Sequence, residues 1–165
     1  MKIGLIGLGV MGYRVAANLK NVNMLDYVYN RSEAKAIEFS KKYNVPYFKT
    51  PEVVAKNSDF IITVLSDDNA VSSVVKAIIP YLKNKILVDL STISPTTSIG
   101  LAEQVSSYGG IMFDAPMIGT STDVEAKRIS IIVGGPQEKF DVVKEVLSNT
   151  ASRVIYAGKN GAGLY

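Results

Sequence analysis

The 165-residue sequence has no cysteine and no histidine. Those two absences exclude disulfides, thiolate and imidazole metal sites, cysteine nucleophiles and every histidine-dependent triad. Acid–base chemistry within it falls to Lys, Tyr or a carboxylate. No apolar run approaches the roughly 18 residues that span a bilayer, so no membrane partner is expected. The net charge is only +3, with the cations scattered. No Lys/Arg run reaches the roughly 5–8 residues of a basic patch, which argues against nucleic acid as a partner. The opening MKIGLIGLGVMG carries one Lys, but glycines interrupt its apolar stretch and no small-residue cleavage pattern follows. It reads as mature structure, and the chain as cytoplasmic.

What is present is a regular alternation. Apolar residues make up 47% and charged residues 20%, ordinary for a globular chain. The length suits one domain, able to bury about 70% of its unfolded surface. Short apolar runs at 2–8, 27–30, 45–48, 59–65, 85–90, 110–116, 129–135 and 152–158 read as strands, several buried on both faces. Between them lie helical patterns at 11–20, 32–43, 50–57, 68–82, 94–108 and 136–149. Ser32 and Ser94 are N-cap candidates, Thr50 and Ser94 each precede a Pro, and Pro80 breaks its helix. Alternation of this kind predicts an α/β fold: a Rossmann-like, doubly wound, largely parallel sheet with helices on both faces. No linker or repeat interrupts it.

The first strand runs into GLGVMG, residues 7–12. This is a GxGxxG pattern, weak alone but informative between a strand and a helix. Gly7 permits the tight turn, Gly9 lets the backbone approach a pyrophosphate, and Gly12 lets helix and strand pack. Together with Leu8, Val10 and Met11 they form the expected cofactor loop, whose helix N-terminus offers free N–H groups to an anion. The competing reading is a tight turn and nothing more. An acid for the ribose hydroxyl of NAD would be expected near residue 30. Asn30, Arg31 and Ser32 stand there instead. Arg31 can pair bidentately with a 2′-phosphate, and Asn30 and Ser32 can donate further bonds. A charge-assisted bond of about 1.5–3 kcal/mol corresponds to roughly ten- to hundredfold discrimination. NADP is therefore the expected cofactor, with NAD possible. The alternative for Arg31 is a solvated residue at a helix start.

Six stretches in order carry a resemblance: GLIGLGVMG (4–12), VYNRS (28–32), ITVLSDDNAV (62–71), VDLSTISP (88–95), DAPMIGT (114–120) and IIVGG (131–135). Across essentially the whole chain the sequence resembles the β-hydroxyacid dehydrogenases, which include 3-hydroxyisobutyrate dehydrogenases, with 6-phosphogluconate dehydrogenase a distant relative. The resemblance implies a cofactor domain over residues 1–160, with Leu65, Ser66, Ser91 and Thr92 bordering the cofactor. Thr92 has a second reading, as a capping hydroxyl for the helix near Pro95, and the two can coexist. The resemblance also places substrate against Ile118, Gly119 and Thr120. There the family pattern DAPVSGG, which holds a substrate carboxylate, is altered: Ile118 cannot donate a side-chain bond, while Thr120 could supply a hydroxyl.

The chain closes on GKNGAGLY (158–165). By resemblance, residues 161–165 begin an interdomain helix leading to an all-helical domain not included in this sequence, and the family's acid–base Lys is expected two residues beyond Tyr165. Lys159 precedes the glycine turn and reads as solvated, so no catalytic residue is expected within the chain. The resemblance implies an NAD(P)-dependent oxidoreductase acting on a small 3-hydroxy acid or semialdehyde, oligomeric through the helical domain, with this segment inactive alone, and Arg31 makes NADP the preferred cofactor. An imine reductase and a non-catalytic interaction module are the alternatives.

Overall fold

A computed structural model describes residues 1–165. Eight strands form one sheet: β1 (Ile3–Ile6), β2 (Tyr27–Tyr29), β3 (Phe60–Thr63), β4 (Ile86–Asp89), β5 (Ile111–Asp114), β6 (Met117–Ile118), β7 (Ser130–Gly134) and β8 (Arg153–Gly158). Seven helices alternate with them: α1 (Val10–Asn21), α2 (Glu33–Tyr43), α3 (Pro51–Asn57), α4 (Asp68–Ile78), α5 (Pro95–Ser107), α6 (Ser121–Glu125) and α7 (Phe140–Leu147). The strand order is β2-β1-β3-β4-β5-β7-β6, with β8 on β7. The first five are parallel, β7 runs antiparallel to β5 and β6, and β8 is parallel to β7.

Side chains of successive strand residues leave opposite faces of the sheet, and the two cores follow from that. Ile3, Leu5, Phe60, Ile62, Val88 and Phe113 pack on one face against Val15, Leu19 and Phe39 of α1 and α2, and Val143 and Leu147 of α7. Ile6, Ile61, Leu87 and Met112 pack on the other against Val54, Val71, Val75, Leu101 and Val105 of α3, α4 and α5. Strands covered on both faces must be continuously apolar, and IGLI and FIIT are buried at every position.

The structure departs from the sequence reading in two places. The strand expected at 45–48 is a single bridge, Val28 to Tyr47, flanked by Pro46, which has no N–H to give a ladder. Between β5 and β7 lie β6 and the five-residue α6, neither anticipated. The break expected near Pro80 is present: α4 ends at Ile78, and Pro80 sits in a 3-10 turn over Ile79–Tyr81. Ser94 is a true N-cap, accepting from Thr97 N–H, whereas Ser32 and Thr50 hold the cap position without a side-chain bond. No helix is long and apolar enough to cross a membrane.

Candidate functional site

From β1 the chain turns to β2 on one side, while β3 lies on the other. Ligands of open α/β sheets bind beyond the strand carboxyl ends at such a divergence. Two adjoining clefts open there. One, of about 810 Å3, is lined by Gly7, Gly9, Asn30, Arg31, Ser32, Leu65 and Ser66, with Tyr29, Pro51, Glu52 and Asn69. The other, of about 380 Å3, is lined by Gly9, Val10, Met11, Gly12, Leu65, Ser66, Leu90, Ser91, Thr92 and Met117. They share Gly9, Val64, Leu65 and Ser66, so they form one trough running from Arg31 to Thr92.

The three glycines of the loop have separate reasons. Gly7 has φ +108°, and a Cβ there would stand 2.1 Å from the Val64 carbonyl oxygen. A Cβ on Gly12 would stand 1.9 Å from the Gly7 carbonyl oxygen. Gly9 is different: a Cβ there meets nothing within 4 Å. Its smallness serves no internal contact and leaves room on the trough side. Gly9 is also the N-cap of α1, with no side-chain cap and no acidic residue in the first turn. The first N–H groups of this helix are left to an external acceptor, and its dipole favours an anion. The residues present thus fit a pyrophosphate.

Asn30 works inward. Its Oδ1 accepts from Leu8 N–H at 2.8 Å, and its Nδ2 donates to the Ser32 carbonyl at 3.1 Å. It locks the glycine loop to the end of β2, with one of its two amide N–H groups spent there. Leu8 is buried outright, its side chain in the core. Arg31 is exposed at the trough rim with no hydrogen bond or ion pair in the structure, and the Ser32 hydroxyl is likewise uncommitted. The cation and the hydroxyl that the sequence reading named are uncommitted, and one of the two Asn30 amide N–H groups is spent on the Ser32 carbonyl.

Ser91 is also partly committed. It is 4% exposed, and its Oγ accepts from Leu65 N–H at 2.8 Å, tying the loops after β3 and β4 together. Thr92 is exposed on the trough and makes no cap, since Ser94 caps α5. Beneath Ser91 lies Asp89, 1% exposed, whose Oδ1 accepts from Thr63 Oγ at 2.8 Å and from Ser91 N–H at 3.2 Å. Its Oδ2 has no protein partner. Burial pushes its carboxyl up to about 6, with the hydrogen bonds from Ser91 and Thr63 opposing and the neighbouring Asp114 adding.

Asp114, in register with Asp89, is 1% exposed. It accepts from Gly161 N–H at 2.6 Å and Gly163 N–H at 2.9 Å. Burial raises its carboxyl, and these two bonds lower it. The closing glycines are thereby explained: a Cβ on Gly163 would stand 2.5 Å from the Ile132 carbonyl oxygen and 2.8 Å from Asp114 Oδ2. Residues Ala162–Leu164 form a 3-10 turn, and Lys159 is exposed.

The segment Ile118–Thr120 borders the trough through its neighbour Met117 but does not line it. Ile118 is 59% exposed. The Thr120 hydroxyl is not free: it donates to Asp123 Oδ2 at 2.8 Å, Thr120 N–H donates to the same oxygen at 2.9 Å, and Asp123 N–H donates back to Thr120 Oγ at 3.2 Å. This capping box starts α6. The sequence reading passed over it, although Thr-x-x-Asp at 120–123 is a readable signature of a helix start.

Fold and trough define a Rossmann-type dinucleotide-binding domain. A family model described as the NAD binding domain of 6-phosphogluconate dehydrogenase matches residues 2–158, and the chain belongs to that family. Among curated relatives, the mitochondrial 3-hydroxyisobutyrate dehydrogenase of Drosophila melanogaster is 33% identical over 98% of this chain and 50% of its own length. That of Mus musculus is 34% identical over 98% and 49%. The chain thus spans about half the length of the curated relatives it matches. Among solved structures, Mycobacterium tuberculosis 3-hydroxyisobutyrate dehydrogenase with L-serine superposes at TM-score 0.94, with 25% identity over 99% of this chain and 56% of that one. A reductive aminase from Aspergillus terreus, in complex with NADPH and ethyl levulinate, superposes at 0.90, with 25% identity over 99% and 56%.

Proposed function

We propose that the chain is the cofactor-binding part of an NADP-preferring oxidoreductase. The observation that carries this reading is the unpaired Arg31 at one end of a trough whose middle is the uncapped, open Gly9 turn. A guanidinium with no internal partner at that position fits a 2′-phosphate. The α1 N-terminus fits the pyrophosphate, and Ser66 and Thr92 border the far end. When bound, NADP supplies or accepts a hydride. The chain's own residues hold and orient it there, and Ser91 keeps the loops after β3 and β4 in register beside it.

The substrate class that the named relatives suggest is a small 3-hydroxy acid or the matching semialdehyde. An imine reductase is the second reading, favoured by the exposed Ile118 where a hydroxyl donor would serve a hydroxy acid. In either case a domain outside this sequence would complete the substrate pocket.

The test is a calorimetric titration of the chain with NADPH and with NADH at fixed salt. NADPH should bind at least tenfold more tightly, and Arg31→Ala should remove most of that difference. Equal affinities would sink the NADP preference, and no binding of either would sink the cofactor role.

A further inference from the structure

Asp89 and Asp114 stand side by side at the ends of β4 and β5, in register and each 1% exposed. They continue the side-chain sets of Leu87 and Met112, so both face the side of the sheet that α3, α4 and α5 cover. Two like charges buried on neighbouring strands oppose each other, and one carboxyl of such a pair keeps its proton. The donors decide which one. Asp114 accepts a backbone N–H on each oxygen, from Gly161 on Oδ1 and from Gly163 on Oδ2. Asp89 accepts from Thr63 and Ser91 on Oδ1 alone, and its Oδ2 is buried without a protein partner. A buried charge with half of its acceptor capacity unfilled costs far more than a neutral group in that place. No cation offsets it. On the surrounding elements Lys56, Lys76, Glu103 and Lys159 are exposed, Glu52 lines the trough, and Asp68 accepts from Ser94 N–H at 3.2 Å.

What Asp89 holds forms the wall of the trough. Ser91 N–H donates to its Oδ1, and Ser91 Oγ accepts in turn from Leu65 N–H. Leu65, Ser66, Leu90, Ser91 and Thr92 all line the cleft. One carboxyl oxygen therefore sets the loops after β3 and β4 against each other. We propose that Asp89 is a positioning residue for the dinucleotide and works as the carboxylic acid: its Oδ1 fixes Thr63 and Ser91, Asp114 carries the one charge of the pair, and no negative charge lies beneath the bound anion. The inference rests on the reading of the trough as a dinucleotide site. It carries a linkage, because ionising Asp89 sets a charge under an anionic ligand where little water screens it. Burial already lifts this carboxyl to about 6, and a bound anion lifts it further. Cofactor affinity is thus full below that value and falls as pH rises above it.

The experiment titrates the wild type, Asp89→Asn and Asp89→Ala with NADPH by calorimetry, at pH 6 and pH 8 and constant ionic strength. The 2′-phosphate also titrates near 6, but it contributes alike to every protein, so comparison with Asp89→Asn isolates Asp89. That variant keeps an acceptor and removes the charge, and at pH 6 it should bind nearly as tightly as the wild type. Between pH 6 and pH 8 the wild type should weaken about fivefold relative to it, the change expected when a bound anion favours the acid over the carboxylate roughly tenfold. At pH 7 the wild type should also take up a fraction of a proton more than Asp89→Asn, read from binding heats in two buffers of different ionisation enthalpy. Asp89→Ala removes the acceptor for both donors and should weaken NADPH roughly tenfold or more at pH 6, with circular dichroism reporting that it is folded. The same pH response in the wild type and Asp89→Asn overturns the proposal, and so does undiminished affinity in a folded Asp89→Ala. If Asp89→Ala does not fold, the other two proteins still decide. Should NADPH bind none of the proteins, the cofactor reading fails and this inference falls with it, an outcome distinct from binding without the pH response.

Discussion

Asp89 shows what a single residue contributes to this domain. Its carboxyl lies beneath the trough with one oxygen bonded twice and the other unpartnered. Burial raises it to about 6 from an ordinary 3.8. Between those values the folded chain keeps a proton that the unfolded chain has released. Stability therefore falls as pH rises through that window, the reverse of the usual paired carboxylate. Asp89→Asn keeps an acceptor for Thr63 and Ser91 and removes the titration. Urea unfolding at pH 4 and pH 7 should find the wild type losing on the order of 2 kcal/mol relative to the variant at the higher pH. Parallel behaviour of the two proteins would show that Asp89 is not the titrating group. Other residues divide as Asn30 and Arg31 do. Both were read from the sequence as ligand donors; Arg31 has all its donors free, and Asn30 has one of its two amide N–H groups spent. The Asn30 amide oxygen meets Leu8 N–H, while the exposed Arg31 guanidinium meets no protein acceptor.

At the scale of elements, the ends of the sheet strands matter more than the strands. Asp114 closes β5 and anchors a turn 47 residues downstream in the chain, through Gly161 N–H and Gly163 N–H. Both donors are buried, and each loses its acceptor in Asp114→Ala, at a cost of about 1–3 kcal/mol apiece. Hydrogen exchange should then show Gly161 and Gly163 deprotected while β1 and β3 keep their protection. Unchanged exchange at the two glycines would refute the clamp. The helices were legible where caps and periodicity agreed, as for Ser94 with Pro95. The α6 segment escaped because five residues give no period to count. The 45–48 segment was read as a strand because its residue types favour one, and Pro46 limits it to a bridge.

For the whole molecule, the trough draws its walls from the loops after β1, β2, β3 and β4, and so from helices on both faces of the sheet. A ligand that spans it binds only the folded chain. At a hundredfold excess over its Kd, such a ligand adds about 2.7 kcal/mol. For a domain of this size that is a rise of roughly 5–10 °C in thermal midpoint. NADPH should produce it in a melting experiment, and NADH at the same concentration should produce less. A midpoint indifferent to NADPH would show that the trough does not close on the cofactor.

The sequence by itself determined the alternation of buried strands and helices, the glycine turn, and the family resemblance. Those features depend on neighbours a few residues apart, where periodicity, capping and steric freedom act. Only the tertiary structure decided which polar groups remain free. Asn30, Ser91 and Thr120 looked like ligand donors in one dimension, and each is engaged by a partner that folding or a local cap supplies. Asp89 and Asp114 fell without distinction inside the strand runs at 85–90 and 110–116, and folding placed them in register inside the sheet. Hydrogen-bond capacity is used up by whichever group comes within about 3 Å, and for most of these residues that distance is set by the packing of strands far apart in the chain.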